Sequence, residues 1–189
     1  MEMEPQAPSD TGPEATPEPA KFVSPQTVAL YGILAALTAA ITIASYLPFS
    51  PTRGYFNLGD SMVFFSALAF GCRAGAICGG VGSAAADVLL GAGVYAPVTL
   101  VAKGGEGFVA GLISRSGRGK NWAVVLGIAA GGALMITTYF MAEWLFLDVG
   151  FGKALAEVPI NVAQVVLGGT IGAGLTYMIR RSYPTLVRG

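Results

Sequence analysis

The stretch TVALYGILAALTAAITIASYLPF, from Thr27 to Phe49, contains no charged residue. A helix needs about 20 mostly apolar residues to cross the hydrocarbon of a bilayer, so this segment reads as a membrane span. Outward from it run five more apolar stretches: Asn57–Phe70, Ala74–Leu90, Tyr95–Ile113, Asn121–Phe146 and Gly152–Ile179. The first, fifth and sixth of the six are ample in length, while the second and third are short. Lipid offers no hydrogen bonds, so a spanning backbone must satisfy itself. The expected fold class is therefore an all-α integral membrane protein, a bundle of six transmembrane helices. A soluble protein with six buried helices would need polar faces that these segments lack. Hydrophobic residues make up 53% of the chain and charged residues 12%, well away from a soluble average. Most of the 27 glycines fall within the spans, where small residues let helices approach closely.

The segment ahead of the first span is different in kind. Residues 1–20 hold prolines at 5, 8, 13, 17 and 19, five acidic residues (Glu2, Glu4, Asp10, Glu14, Glu18) and no aromatic. Such a composition cannot bury enough apolar surface to fold, and it lacks the basic-then-apolar order of a signal peptide. The expected organisation is a disordered acidic tail over 1–24, a membrane domain over 25–182 and a short C-terminus over 183–189. From Lys21 onward, 11 basic residues face 6 acidic ones.

Loop charge sets orientation, because cytoplasmic loops are rich in Lys and Arg. With the N-terminus inside, the inner regions hold Lys21, Arg73, Arg115, Arg118, Lys120, Arg180, Arg181 and Arg188, and the outer loops hold Arg53 and Lys153. Both termini are thus expected in the cytoplasm of a prokaryotic cell whose plasma membrane the chain crosses several times. Cys72 and Cys78 fall at the inner ends of their spans, a reducing location where a disulfide is not expected. The chain has no histidine, which removes imidazole relays and Ser-His triads. It has no Gly-x4-Gly-Lys-Ser/Thr phosphate loop either, so any ATP-driven movement would need a partner. No cofactor, metal or nucleic-acid partner is expected, and the chain is not expected to be an enzyme.

Charged groups within a membrane are costly and mark function by default. Traced through the topology, they gather in the outer half. Asn57 and Asp60 open the second span and Asp87 lies near the outer end of the third. Lys103 is about two turns into the fourth, with Glu106 near mid-depth. Tyr139 and Glu143 lie four apart on one face of the fifth, and Glu157, Asn161 and Gln164 recur at i, i+4 and i+7 on the sixth. The inner half is almost purely Ala, Gly, Val, Leu and Ile. A channel would need polar lining along its whole length, whereas this layout is a cup that opens outward and is closed below. Tyr46, Tyr55, Phe56, Tyr95, Tyr139, Trp144 and Phe146 map near the outer boundary, either as an aromatic belt or, for Tyr139 above all, as a stacking surface for a flat ligand. Asp87, Lys103 and Glu106 could bind ligand or fix the bundle as a charge network. Gly32, Ala36 and Ala40, with Ala35 and Ala39 one residue over, set small residues at four-residue spacing on the inner half of the first span. Such a face suits another helix, from this bundle or from a partner subunit.

These residues resemble the substrate-binding S component of energy-coupling factor (ECF) vitamin transporters, in its riboflavin-type branch. The resemblance covers about residues 25–180. It is carried by Gly54-Tyr55-Phe56-Asn57-Leu58-Gly59-Asp60, by Gly79-Gly80-Val81-Gly82-Ser83-Ala84 with Asp87, and by Tyr95-Ala96-Pro97 followed by Lys103-Gly104-Gly105-Glu106-Gly107. Tyr139 with Glu143, and Glu157 with Asn161 and Gln164, fit the same pattern, and the first span is similar to the family's Ala-x3-Ala coupling motif. The resemblance implies six helices, an outward pocket for a water-soluble vitamin or precursor, and a lid over Pro48–Leu58. It also implies association with a transmembrane coupling subunit and two ATPase subunits, and toppling in the bilayer to deliver the ligand. It assigns substrate binding to Asn57, Asp60, Tyr95, Tyr139, Glu143, Glu157, Asn161 and Gln164. The acidic tail departs from the family's requirements. The competing reading is a small polytopic channel or membrane scaffold without an ATPase partner.

Overall fold

A computed structural model describes residues 24–48 and 55–183. It contains six α-helices: α1 (Pro25–Ala44), α2 (Asp60–Phe70), α3 (Cys72–Leu89), α4 (Ala96–Ser116), α5 (Asn121–Leu145) and α6 (Phe151–Ser182). A two-stranded antiparallel hairpin, β1 (Leu47–Pro48) with β2 (Tyr55–Phe56), lies between α1 and α2 and pairs Leu47 with Phe56 and Pro48 with Tyr55. Four helices, α1, α4, α5 and α6, are long and apolar enough to cross a membrane. The expected tail (apart from Ser24), the tip of the expected lid with Arg53, and the C-terminus beyond Tyr183 lie outside the described residues.

Local chemistry explains the helix ends. Ser24 caps α1 by accepting the Thr27 N–H at 3.2 Å, with Pro25 in the first turn where its missing N–H costs nothing. Two boundaries correct the sequence expectation. The first span was expected to run to Phe49, but α1 stops at Ala44. The Ser45 hydroxyl turns back onto the Ile41 carbonyl at 2.6 Å and receives the Leu58 N–H at 2.8 Å, and the chain leaves as a strand. Apolar periodicity cannot register that exit, because Tyr46-Leu47-Pro48 is as apolar as the helix before it. Asn57, expected to open the second helix, precedes it: its Oδ1 accepts the Gly59 N–H at 2.8 Å in a local turn, and α2 starts at Asp60.

Helix α2 is the centre of the bundle. Ten of its eleven residues, Asp60 to Ala69, are buried, and it packs against α1, α3, α4 and α6. At about 1.5 Å per residue it spans roughly 16 Å, about half of a hydrocarbon core of about 30 Å. Its C-terminal carbonyls therefore end inside protein. The Gly71 N–H bonds the Ala67 carbonyl at 2.9 Å and the Arg180 guanidinium donates to the Leu68 carbonyl at 2.8 Å, satisfying groups that a helix end otherwise leaves orphaned. Gly71, at φ 97°, makes the whole connection to α3.

The neighbours come close because the facing residues are small. A Cβ added to Gly75 of α3 would stand 2.6 Å from the Gly107 carbonyl of α4 and 2.6 Å from Ala67 Cβ of α2. On α6, a Cβ at Gly172 would stand 2.8 Å from the Ser61 carbonyl of α2. Gly75→Val should therefore lower stability by about 1–3 kcal/mol, the usual cost of overpacking. Gly174→Ala, on the same α6 but with nothing within 4 Å of the added carbon, should leave the melting temperature unchanged or raise it slightly. Thermal unfolding of both variants in detergent checks the contrast.

Candidate functional site

The polar residues expected at the outer half do converge. The end of α3, the starts of α4 and α6 and the end of α5 meet at one pole of the bundle and enclose a cavity. About 470 Å³ of space lies among its lining side chains, of which about 40 Å³ admits the centres of waters. One water needs roughly 10–15 Å³ of such space, so a ligand larger than a few waters requires a wall to move. The hairpin contributes Tyr55 to that wall, and the turn after it contributes Asn57.

The floor is a buried charge group. The Lys103 ammonium is paired with Asp60 Oδ1 at the start of α2 and lies 3.6 Å from Glu106 Oε2 one turn along its own helix. It also sits 5.9 Å from the centre of the Tyr139 ring, within cation–π range. The Tyr139 hydroxyl donates to Thr99 Oγ1 at 2.8 Å. One wall is a chain of amides: Gln164 Oε1 accepts the Asn57 N–H at 3.1 Å and Asn57 Nδ2 at 2.8 Å, and Gln164 Nε2 donates to Asn161 Oδ1 at 3.0 Å. This chain ties the lid turn to α6. Pro159 sits between Glu157 and Asn161 inside α6 and supplies no N–H to the ladder.

The lid closes on α3 through one bond. The Tyr55 hydroxyl donates to Asp87 Oδ1 at 2.5 Å, and its ring lies 4.8 Å from that of Tyr46 at 50°. Burial first, and the Asp87 carboxylate second, push the Tyr55 phenol well above its ordinary pKa, so it remains a donor. Glu143 of α5 and Glu157 of α6 also line the cavity, from two helices packed against each other.

Of the expected residues, Asn57, Asp87, Tyr95, Lys103, Tyr139, Glu143, Glu157, Asn161 and Gln164 line the cavity. Asp60 and Glu106 sit behind it, fully buried against Lys103. Thr42, Ser83 and Thr99 also line it and were not singled out from sequence. A signal existed: Ser83 lies four residues before Asp87 and Thr99 four before Lys103, so each shares a helix face with a charged neighbour. Of the aromatics, Tyr55, Tyr95 and Tyr139 turn to the cavity, whereas Trp144 and Phe146 stay 43% and 78% exposed. Among the described residues no cluster of Cys, Asp and Glu is arranged to hold a metal ion.

Residues 22–181 match the family model of the ECF-type riboflavin transporter S component. An uncharacterized protein of Pyrococcus woesei is 37% identical over 145 residues, covering 75% of this chain and 95% of its own length. A protein of Lactococcus lactis named thiamine precursor transporter HmpT is 29% identical over 154 residues, covering 81% of this chain and 87% of its own length. A solved structure of the S component of a bacterial ECF transporter superposes with a TM-score of 0.63 at 17% identity, covering 85% of this chain and 97% of the other. This last likeness shows the fold. The chain belongs to the ECF S-component family, a family of membrane proteins.

The geometry separates a structural role from a lining role. Lys103→Met would leave Asp60 and Glu106 buried without their cation and should cost about 3–5 kcal/mol of stability. Asn161→Ala, at the cavity end of the amide chain and away from the buried charges, should change the melting temperature much less. Parallel thermal unfolding of the two variants checks this.

Proposed function

We propose that this S component captures a water-soluble vitamin or vitamin precursor from outside a prokaryotic cell and passes it inward through an ATP-driven complex. The observation that carries the reading is the closed polar cavity, built by five helices and a lid hairpin at one pole of an otherwise apolar bundle, in a chain of this family. The relative named as a thiamine precursor transporter supports a precursor as readily as a complete vitamin. Ligand contacts fall to Asn57, Tyr95, Tyr139, Glu143, Glu157, Asn161 and Gln164, with Asp87 at the lid. Asp60, Lys103 and Glu106 act as the network beneath. In this reading the chemistry is recognition alone, without catalysis.

The six helices sit together in the plasma membrane as residues 25–182, with both termini cytoplasmic. Arg73, Arg115, Arg118, Lys120, Arg180 and Arg181 lie at the helix ends away from the cavity, as the positive-inside rule asks. Helix α2 reaches the outer boundary through the turn ahead of it. Residues 1–24 and 183–189 extend into the cytoplasm. Helix α1 offers the partner surface. Gly32, Ala36 and Ala40 are exposed, and nothing lies within 4 Å of a carbon added at Gly32. Ala35 and Ala39 are half-buried on the side toward α3, where the Ala35 carbonyl meets Gly82. The outward row suits a helix of a transmembrane coupling subunit, which two ATPase subunits would drive.

Calorimetry of the purified chain against the common water-soluble vitamins and their precursors should find one that binds at sub-micromolar concentration, and Asn161→Ala should weaken it by about 1–3 kcal/mol. Binding of none would remove the receptor reading. Ala36→Trp should leave ligand binding intact and abolish uptake in cells that carry the ATPase module, along with co-purification of the coupling subunit. Intact uptake would show that this face is not the docking surface.

A further inference from the structure

The cavity is chemically one-sided. Among the described residues Lys103 is the one basic side chain lining it, and that ammonium is committed to Asp60 and Glu106. Asp87, Glu143 and Glu157 face the cavity from three different helices. Asp87 is 2% exposed and Glu143 1% exposed. Each keeps a carboxylate oxygen, Asp87 Oδ2 and Glu143 Oε2, that receives no hydrogen bond from any described residue. Buried acceptors left unpaired are costly, and more so when charged. A site that holds two of them, one on α3 and one on α5, calls for a ligand that brings donors to both. Glu143 and Glu157 add a second demand, since two carboxyls that line one small cavity from adjacent helices are relieved by a proton or cationic group placed between them. Tyr95 and Tyr139 supply ring surfaces alongside. Among the described residues, a carboxylate or phosphate entering the same space would meet three acids and no uncommitted cation.

We propose that the ligand is a flat nitrogen heterocycle bearing an amino group or a protonated ring nitrogen, whose N–H groups are received by Asp87 and Glu143, and that the site rejects carboxylated and phosphorylated vitamins. This rests on the vitamin-receptor reading and narrows it to one class. Amine and oxo partners of the same ring have nearly equal size, so the discrimination is made by hydrogen-bond polarity: where the amine donates, the oxo group presents a further acceptor to an acceptor.

The test is calorimetry on the full chain in detergent with matched pairs. The pairs are the hydroxymethyl aminopyrimidine half of thiamine and its oxo analogue, and thiamine and oxythiamine. Riboflavin stands as the neutral arm, and nicotinate and biotin as the anionic arm. At least one amine should bind, with its oxygen counterpart weaker by about tenfold or more. Glu143→Gln and Asp87→Asn, which keep side-chain shape, should each weaken that amine by about tenfold or more. The comparison of ligand pairs on the unaltered chain stands even if a variant fails to fold. Equal binding of an amine and its oxo partner, or binding of riboflavin, nicotinate or biotin with no amine bound, overturns the proposal and leaves the receptor reading standing. Binding of none of the panel overturns both.

Discussion

One buried ammonium fixes the depth at which everything else in this bundle is arranged. Lys103 joins Asp60 at the first turn of α2 to Glu106 on α4. Desolvating such groups is expensive, and their attraction offsets that cost only when the geometry is held tightly. The glycines of α3, α4 and α6 supply the tight hold by letting backbones touch. On the α2 side of this point the chain is short, central and almost wholly buried, packed around Phe64 and Met135. On the other side lie the polar side chains of the cavity. The boundary between apolar bundle and polar cup is thus the position of a single cation.

That coupling was only half legible in the sequence. Long apolar runs placed α4, α5 and α6 to within a few residues, because charge and glycine-rich loops bracket them. The convergence of Asp87, Tyr139, Glu143, Glu157, Asn161 and Gln164 at one end of the bundle followed from counting helical rise. What failed to show was partner choice. Lys103 does pair with Glu106, three residues on, but its acid across helices is Asp60 rather than Asp87, 43 residues away, because α2 threads the middle of the bundle. Nothing in local periodicity says that an eleven-residue apolar helix is central rather than peripheral. Threonine and serine were equally silent. Thr38 bonds the Leu34 carbonyl of its own helix at 2.9 Å, whereas Thr42, one turn on, lines the cavity, and composition treats the two alike.

Helix α1 shows how one element can serve two surfaces. Its Leu34, Thr38 and Thr42 side is buried, with Thr42 reaching the cavity. Its Gly32, Ala36 and Ala40 side is open. The two rows are offset by two residues, about 200° around the helix and about 3 Å along it, so they face nearly opposite ways and a substitution on one need not disturb the other. If the open side is where a coupling subunit docks, ligand sensing and docking share a rigid rod rather than a flexible linker. A tilt of α1 would be felt at Thr42 and, through Ser45 and the Leu58 N–H it receives, at the base of the hairpin.

In the proposed site the Tyr55–Asp87 bond would make the hairpin an intramolecular rival of the ligand at Asp87 Oδ1. A donor that seeks that oxygen rather than Oδ2 must displace a phenol already 2.5 Å from it and tethered at a high effective concentration by the hairpin. Affinity won through that oxygen would then be a difference between two occupants of one acceptor. Water and simple alcohols, which donate no better than a phenol, would gain nothing by the exchange. A cationic N–H, which brings a full charge to the carboxylate where a phenol brings only a dipole, would gain. The hairpin would thereby set a threshold on donor strength at Oδ1.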